Sequence, residues 1–309
     1  MARRMNRIAV VGNLSLALAL AAGPRAAHAQ AFQGSGASAF STGAAATIDQ
    51  SVVNTTTVTV NANRTIINWT PSDNPASSAP FTFLPSGTTA SFVGGSPLAG
   101  APYTVLNRII PNSAKAIQFD GTVNSGSTGR IWFYTPGGMI IGSSARFNVG
   151  SLLLTTADPV LDVSGNFMPV NGHFQLAGAA GSQSEIVIQS GAQLNAINTG
   201  QSNYIVALAP RIQQDGAISV RGSAALVAAE GATFAIDSVG LFTISVDAAN
   251  EGSTVTGMDA LSHSGSTGGP DSGSVSSARR VYLMAVPKNS AITMAIQSGG
   301  SLGFAIANA

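Results

Sequence analysis

The chain has 309 residues, of which 9% are charged, 6% aromatic and 45% hydrophobic, and 35 are glycine. Zero cysteines exclude a disulfide framework and a thiolate metal site. Four of the 14 basic residues (Arg3, Arg4, Arg7 and Arg25) and no acid lie in the first 29 positions, so the remainder holds ten bases against 13 acids, a net charge of −3 that argues against nucleic acid as a partner.

Taken in chain order, Arg3, Arg4 and Arg7 precede an apolar stretch from Ile8 to Ala22, and Ala27-His28-Ala29 supplies a small-x-small pattern. This is the layout of a signal peptide over residues 1–29, cut by signal peptidase between Ala29 and Gln30 after delivery by the general secretion machinery. The apolar run is too short for a membrane anchor, and no second stretch of about 20 apolar residues follows.

Beyond the signal, helical periodicity gives way to short alternating or fully apolar runs closed by Gly, Asn, Asp or Ser. Thr57-Val58-Thr59-Val60, Arg64 to Trp69, Ile131 to Tyr134, Glu185 to Ile188, Tyr204 to Leu208 and Phe242 to Val246 are examples, and they predict an all-β chain. Ser190-Gly191-Ala192, Asp215-Gly216-Ala217 and Glu230-Gly231-Ala232 repeat at 15 to 25 residues, the length of a β-helix coil. The pattern suits a parallel β-helix, with a β-sandwich as the alternative. Thr70 to Gly100, rich in Pro, Ser and Gly with Phe81, Phe83, Leu84 and Phe92 as its apolar points, is expected to form an extra-helical hairpin or a cap over the first coil. His263 to Ser277 reads by composition as a flexible loop. The apolar, strand-like sequence up to Ala309 suggests that the natural protein continues into a downstream passenger.

Catalytic chemistry finds little footing. His173 and His263 stand in no metal-ligand or nucleophile–base spacing, and no cofactor motif occurs. Asp158 and Asp162, four apart around Pro159, are the one pair open to a reading as carboxylates of a β-helical polysaccharide-modifying enzyme.

The segment from Val105 to Thr156 is the most informative. Asn107-Arg108 leads into a strand, then come Ile117-Gln118-Phe119-Asp120-Gly121-Thr122-Val123, Gly129-Arg130-Ile131-Trp132-Phe133-Tyr134, the turn Thr135-Pro136-Gly137-Gly138, and Asn148-Val149-Gly150-Ser151-Leu152. In order and spacing this resembles the two-partner secretion domain of filamentous haemagglutinins and related exported adhesins. The family's Asn-Pro-Asn-Gly turn is replaced here by Thr135 to Gly138, and its Gly-Gly-Leu by Gly150-Ser151-Leu152.

The resemblance implies a right-handed parallel β-helix with an N-terminal cap and extra-helical hairpins. It implies a secretion-targeting, β-helix-nucleating, non-enzymatic domain over about residues 30–250, recognised by an outer-membrane β-barrel transporter of a Gram-negative bacterium. Residues 251–280 would then be a Gly/Ser-rich loop region and 281–309 further β-helix strands. The destination would be the medium or cell surface, with a host-cell or surface glycan as receptor, or else delivery of a toxin or haemolysin. Asn107, Arg108, Thr135, Pro136, Gly137, Gly138 and Asn148 are the candidate recognition and turn residues. On their chemistry, Asn107 and Asn148 are expected at coil corners, Arg108 beside Asp120, and Trp132, Phe133 and Ile140 in the core.

Overall fold

In a computed structural model the chain is described over residues 31–32, 35–40, 46–71, 73, 76–163, 165, 167, 173–196, 203–236, 242–249, 259–270, 279–286 and 296–305. The expected signal peptide and its cleavage pair Ala29–Gln30 lie outside these residues. Two strands, β1 (Ser35–Phe40) and β2 (Ala46–Asp49), precede a run of coils that each contribute three strands in the same order. The first coil is β3 (Thr55–Val60), β4 (Arg64–Thr70) and β5 (Phe81–Leu84), and the second is β6 (Thr89–Gly94), β7 (Tyr103–Ile109) and β8 (Ile117–Phe119). The third is β9 (Thr122–Ser125), β10 (Gly129–Tyr134) and β11 (Met139–Ile141). The fourth is β12 (Arg146–Asn148), β13 (Ser151–Thr155) and, after an excursion through β14 (Asp158–Pro159) and β15 (His173–Ala177), β16 (Glu185–Ile188). The fifth is β17 (Gln193–Ala196), β18 (Tyr204–Ala209) and β19 (Arg211–Gln214). The sixth is β20 (Ala217–Val220), β21 (Ser223–Ala228) and, after β22 (Gly231–Ile236) and β23 (Phe242–Ala248), β24 (Leu261–His263). The seventh is β25 (Ser266–Pro270), β26 (Val281–Ala285) and β27 (Ile296–Ser298), and β28 (Ser301–Ala305) opens another.

Corresponding strands stack into eight-, seven- and nine-stranded sheets, parallel except where β1 and β2 pair antiparallel with β4 and β3. The result is a right-handed parallel β-helix. Thr122 pairs with Arg146 and Gln193 with Ala217, so an undecorated coil takes 24 residues. Gly191 and Gly216 are the corner glycines of successive coils, and Ala217 N–H donates to Ala192 O at 2.9 Å. The Glu230-Gly231-Ala232 unit is a different object. It starts β22, which belongs to a four-stranded antiparallel sheet of β14, β15, β22 and β23 outside the coils.

That extra sheet explains why some runs alternate and others are apolar throughout. In the nine-stranded sheet, Val58, Val60 and Val123 point inward and Thr57, Thr59 and Thr122 face out, half-buried. In the eight-stranded sheet, β13, β18 and β21 are buried at every position because both of its faces are covered. One face looks into the solenoid. The other packs Trp132, Leu153, Tyr204 and Val206 against Phe174, Leu176 and Phe234 of the extra sheet. The Trp132 indole donates to Tyr204 Oη at 2.8 Å inside this second core, and burial pushes the Tyr204 phenol up to about 12.

The solenoid interior is not uniform along its axis. Its first coils are filled by Phe32, Trp69, Phe83, Phe92, Phe119, Phe133 and Phe147, with ring centroids 4.8–6.5 Å apart in the contacting pairs. Later coils use Ala, Ile, Leu and Val, then Gln214, His263 and Thr267. Phe32 enters the open N-terminal end, held by a bond from its N–H to Thr56 Oγ1 and one from Gln50 Nε2 to its carbonyl, each 3.1 Å.

Two segments differ from expectation. Thr70 to Gly100 is neither hairpin nor cap: it supplies β5 and β6, and Phe83, Leu84 and Phe92 are buried coil residues. The cap is instead β1, β2 and Phe32. Within the expected His263–Ser277 loop, Ser266–Pro270 is strand β25, paired with β20 and β28. Its glycines permit close stacking, since a β-carbon on Gly269 would sit 2.1 Å from Val220 O. Residues 271–278 lie outside the described set.

Candidate functional site

The segment that carries the family resemblance, Val105 to Thr156, spans coils two to four. Asn107 sits in mid-strand rather than at a corner. Register places it between Ile67 and Phe133 in an inward column, and it is fully buried. Its Oδ1 accepts from Trp69 Nε1 and its Nδ2 donates to Trp132 O, both at 3.1 Å. One amide therefore satisfies groups on the strands above and below it.

Alternation turns the next residue, Arg108, to the outer face. Its partner is Asp158 of β14, not Asp120, and the contact is two-pronged, Nε to Oδ1 at 3.1 Å and Nη2 to Oδ2. The guanidinium also lies 5.7 Å from the centroid of the Tyr134 ring. Burial raises the Asp158 carboxyl above its ordinary value, partly offset by Arg108. This pair ties the extra sheet's first strand to the second coil. Asp120 instead accepts from Gln118 Nε2 at 2.8 Å on another sheet.

The turn between β10 and β11 is gripped by coils on both sides. Thr135 is buried, and its N–H donates to Thr155 O at 3.2 Å. Pro136 is exposed, and its carbonyl accepts from Ser184 Oγ. A β-carbon on Gly137 would lie 2.2 Å from Lys115 O, and one on Gly138 (φ +103°) 2.8 Å from Glu185 O. Both glycines are demanded by stacking against neighbouring backbone, whatever else reads the turn. Gly138→Ala is expected to lower stability by about 2–4 kcal/mol through a disallowed φ and this clash. Chemical denaturation checks it, with Pro136→Ala expected within about 1 kcal/mol of wild type.

Asn148 lies at a strand end, exposed, in a ladder of stacked amides. Its Nδ2 donates to Asn124 Oδ1 at 3.2 Å, and Asn195 Nδ2 donates to Asn148 Oδ1 at 3.0 Å. Asn124 and Asn195 were visible in the sequence as the residues following inward Val123 and Leu194, in register with Phe147-Asn148. Trp132 and Phe133 are core residues on opposite faces of β10, whereas Ile140 is half-buried on the outside of β11.

The seven candidates thus do not converge on one patch. Asn107 and Thr135 are interior, Arg108 and Pro136 lie on outer surfaces, and Asn148 is on a further sheet. Asp158 is engaged by one guanidinium, and Asp162 lies beyond β14. Among the described residues there is no group of three or more His, Asp or Glu side chains that could hold a metal ion.

No protein-family model matches the chain, and no curated protein matches its sequence. Among solved structures it is similar to the HMW1 secretion domain from Haemophilus influenzae, with a TM-score of 0.53 and 21% identity over 82% of this chain. The chain shares the fold of the HMW1 secretion domain. It spans 56% of the length of that solved chain.

Proposed function

We propose that this chain is a secretion-targeting domain that an outer-membrane transporter recognises unfolded in the periplasm and that folds at the cell surface to seed a β-helix. The observation that carries this reading is the solenoid fold shared with the HMW1 secretion domain. The N-terminal signal pattern and the absence of cysteine agree with passage across two membranes. The aromatic filling of the first coils supports a seeding role. In a stack where each coil contacts its neighbours, the end that buries the most apolar area forms the first stable unit. Burial outside the pore then opposes return through it.

The recognised element is the chain from Asn107 to Asn148, read before its side chains are sequestered. In this role the chain is a non-enzymatic domain of an exported surface protein. Expression with and without the cognate transporter tests it. Accumulation in the medium only when the transporter is present is the expected result, and equal export in its absence would overturn the proposal.

A further inference from the structure

One column of the solenoid interior changes character along the axis. Register aligns Ile141, Ile188, Gln214, His263 and Ser298 on successive coils. The first two are buried aliphatics, whereas Gln214 and His263 are buried polar groups, with 0% and 1% of their surface exposed. His263 Nε2 lies 3.0 Å from Thr267 Oγ1, and Nδ1 lies 3.4 Å from Ser298 Oγ. Gln214 Nε2 donates to Gly216 O at 2.9 Å and Ser266 O at 3.3 Å, while its Oε1 has no hydrogen-bond partner. The imidazole is wedged against the next turn, since a β-carbon on Gly300 would come within 2.8 Å of Nδ1. Nδ1 thus lies against the Gly300 backbone of the next turn, at a position that only glycine fits.

We propose that His263 makes the distal coils acid-labile, closing them while its ring is neutral and releasing them when the ring is protonated. The neutral ring fits between two hydroxyls, each of which can donate or accept. A proton adds a charge inside the solenoid, where among the described residues no carboxylate bonds to the ring. Asp215 is nearest in effect, but it lies in the turn after β19 and accepts from Ser264 Oγ and Gln213 Nε2. Among the described residues, the other charged groups on or beside the packed strands are bonded elsewhere or flank the strands, Arg221 following β20 and Glu230, which accepts from Gly181 N–H at 3.0 Å, lying just after β21. Arg211 of β19 pairs with Glu185 of β16 at 3.5 Å, Asp259 precedes β24, and Arg279 and Arg280 precede β26. Tyr282 of β26 packs on the outer core, and β20, β21, β25, β27 and β28 carry no titratable side chain.

Burial holds the His263 imidazole below its ordinary value of 6.5, with Asp215 opposing by less. Its contribution to stability is therefore complete above pH 6.5 and is lost as pH falls through the depressed folded-state value. Between those values the opening equilibrium gains up to about tenfold per pH unit.

The test is amide hydrogen exchange on the full chain at about pH 7.5 and about pH 5.5, corrected for intrinsic rates. Peptides covering 259–270 and 296–305 are expected to lose about three- to tenfold of their protection at the lower pH, while 103–155 keeps its own. His263→Gln, neutral throughout, is expected to remove that difference. Equal protection at both values, or a loss that persists in His263→Gln, would overturn the proposal. If His263→Gln leaves the distal coils open at both values, the wild-type imidazole resonances decide. A ring titrating below 6.5, in step with the loss of distal protection, supports the proposal. A ring titrating at or above 6.5, or without that loss, overturns it.

Discussion

Replacing Asn107 with leucine is expected to cost about 2 kcal/mol, although leucine fills the same space and is the more hydrophobic residue. The loss comes from what the change strands. Trp69 Nε1 donates to Asn107 Oδ1 in a fully buried position, and no water can replace the acceptor. A double-mutant cycle with Trp69→Phe isolates this term. Once the indole N–H is also removed, the second change should be cheaper by about 1–2 kcal/mol than either single change predicts, read by denaturant unfolding.

The same variants separate two roles for Asn107. In the folded domain it is out of reach, so a transporter could read it only in the unfolded chain. If the asparagine is part of the address, export falls in Asn107→Leu and stays low in the double variant. If it only fixes packing, export tracks the measured unfolding free energy across wild type, both single variants and the double. Such tracking would remove Asn107 from the recognised element and leave the fold-seeding part of the proposal standing.

The local pattern of strands was legible in the sequence because burial imposes it directly. Thr57-Val58-Thr59-Val60 alternates because one side faces the interior, and Ile131 to Tyr134 is continuous because both sides are covered. The identity of the cover was not legible. His173–Ala177 of the fourth coil's excursion pairs antiparallel with β22 of the sixth coil's, across the intervening fifth coil, and neither segment advertises a distant partner. Glu230-Gly231-Ala232 resembled a coil corner because tight turns of any origin favour glycine.

The candidate site shows the same division between local and distant information. The acid nearest Arg108 in sequence is Asp120, yet alternation and coil geometry send Arg108 to Asp158, 50 positions away, while Asp120 follows strand β8 of another sheet. Asparagine favours turns, which points Asn107 to a coil corner. Its actual place depends on two tryptophans, 38 positions before it and 25 after. Asn148 was placed more accurately, because a stacked-amide corner is a local device that repeats coil by coil.

Phe32→Ala is expected to be the most damaging single truncation at the N-terminal end, lowering stability by about 3–5 kcal/mol. The ring is stacked on Phe83 at 4.8 Å, meets Trp69 edge-on at 5.1 Å, and also touches Phe92 and Phe133. Removing it opens the mouth of the first coil, and the alanine cannot refill a space bounded by four rigid rings. The expected signature is a fall in Tm of roughly 5–15 °C. Hydrogen exchange should place the damage in β3, β4 and β5 and spare β18 to β21, because coils in a solenoid feel chiefly their neighbours. Leucine at position 32 should recover part of the loss by restoring volume without the ring contacts. A uniform loss of protection along the whole solenoid would instead mean that the domain unfolds as one unit. The aromatic coils could then no longer be treated as a seed that forms ahead of the rest, and the case for directional folding would have to rest on the order in which chain leaves the pore.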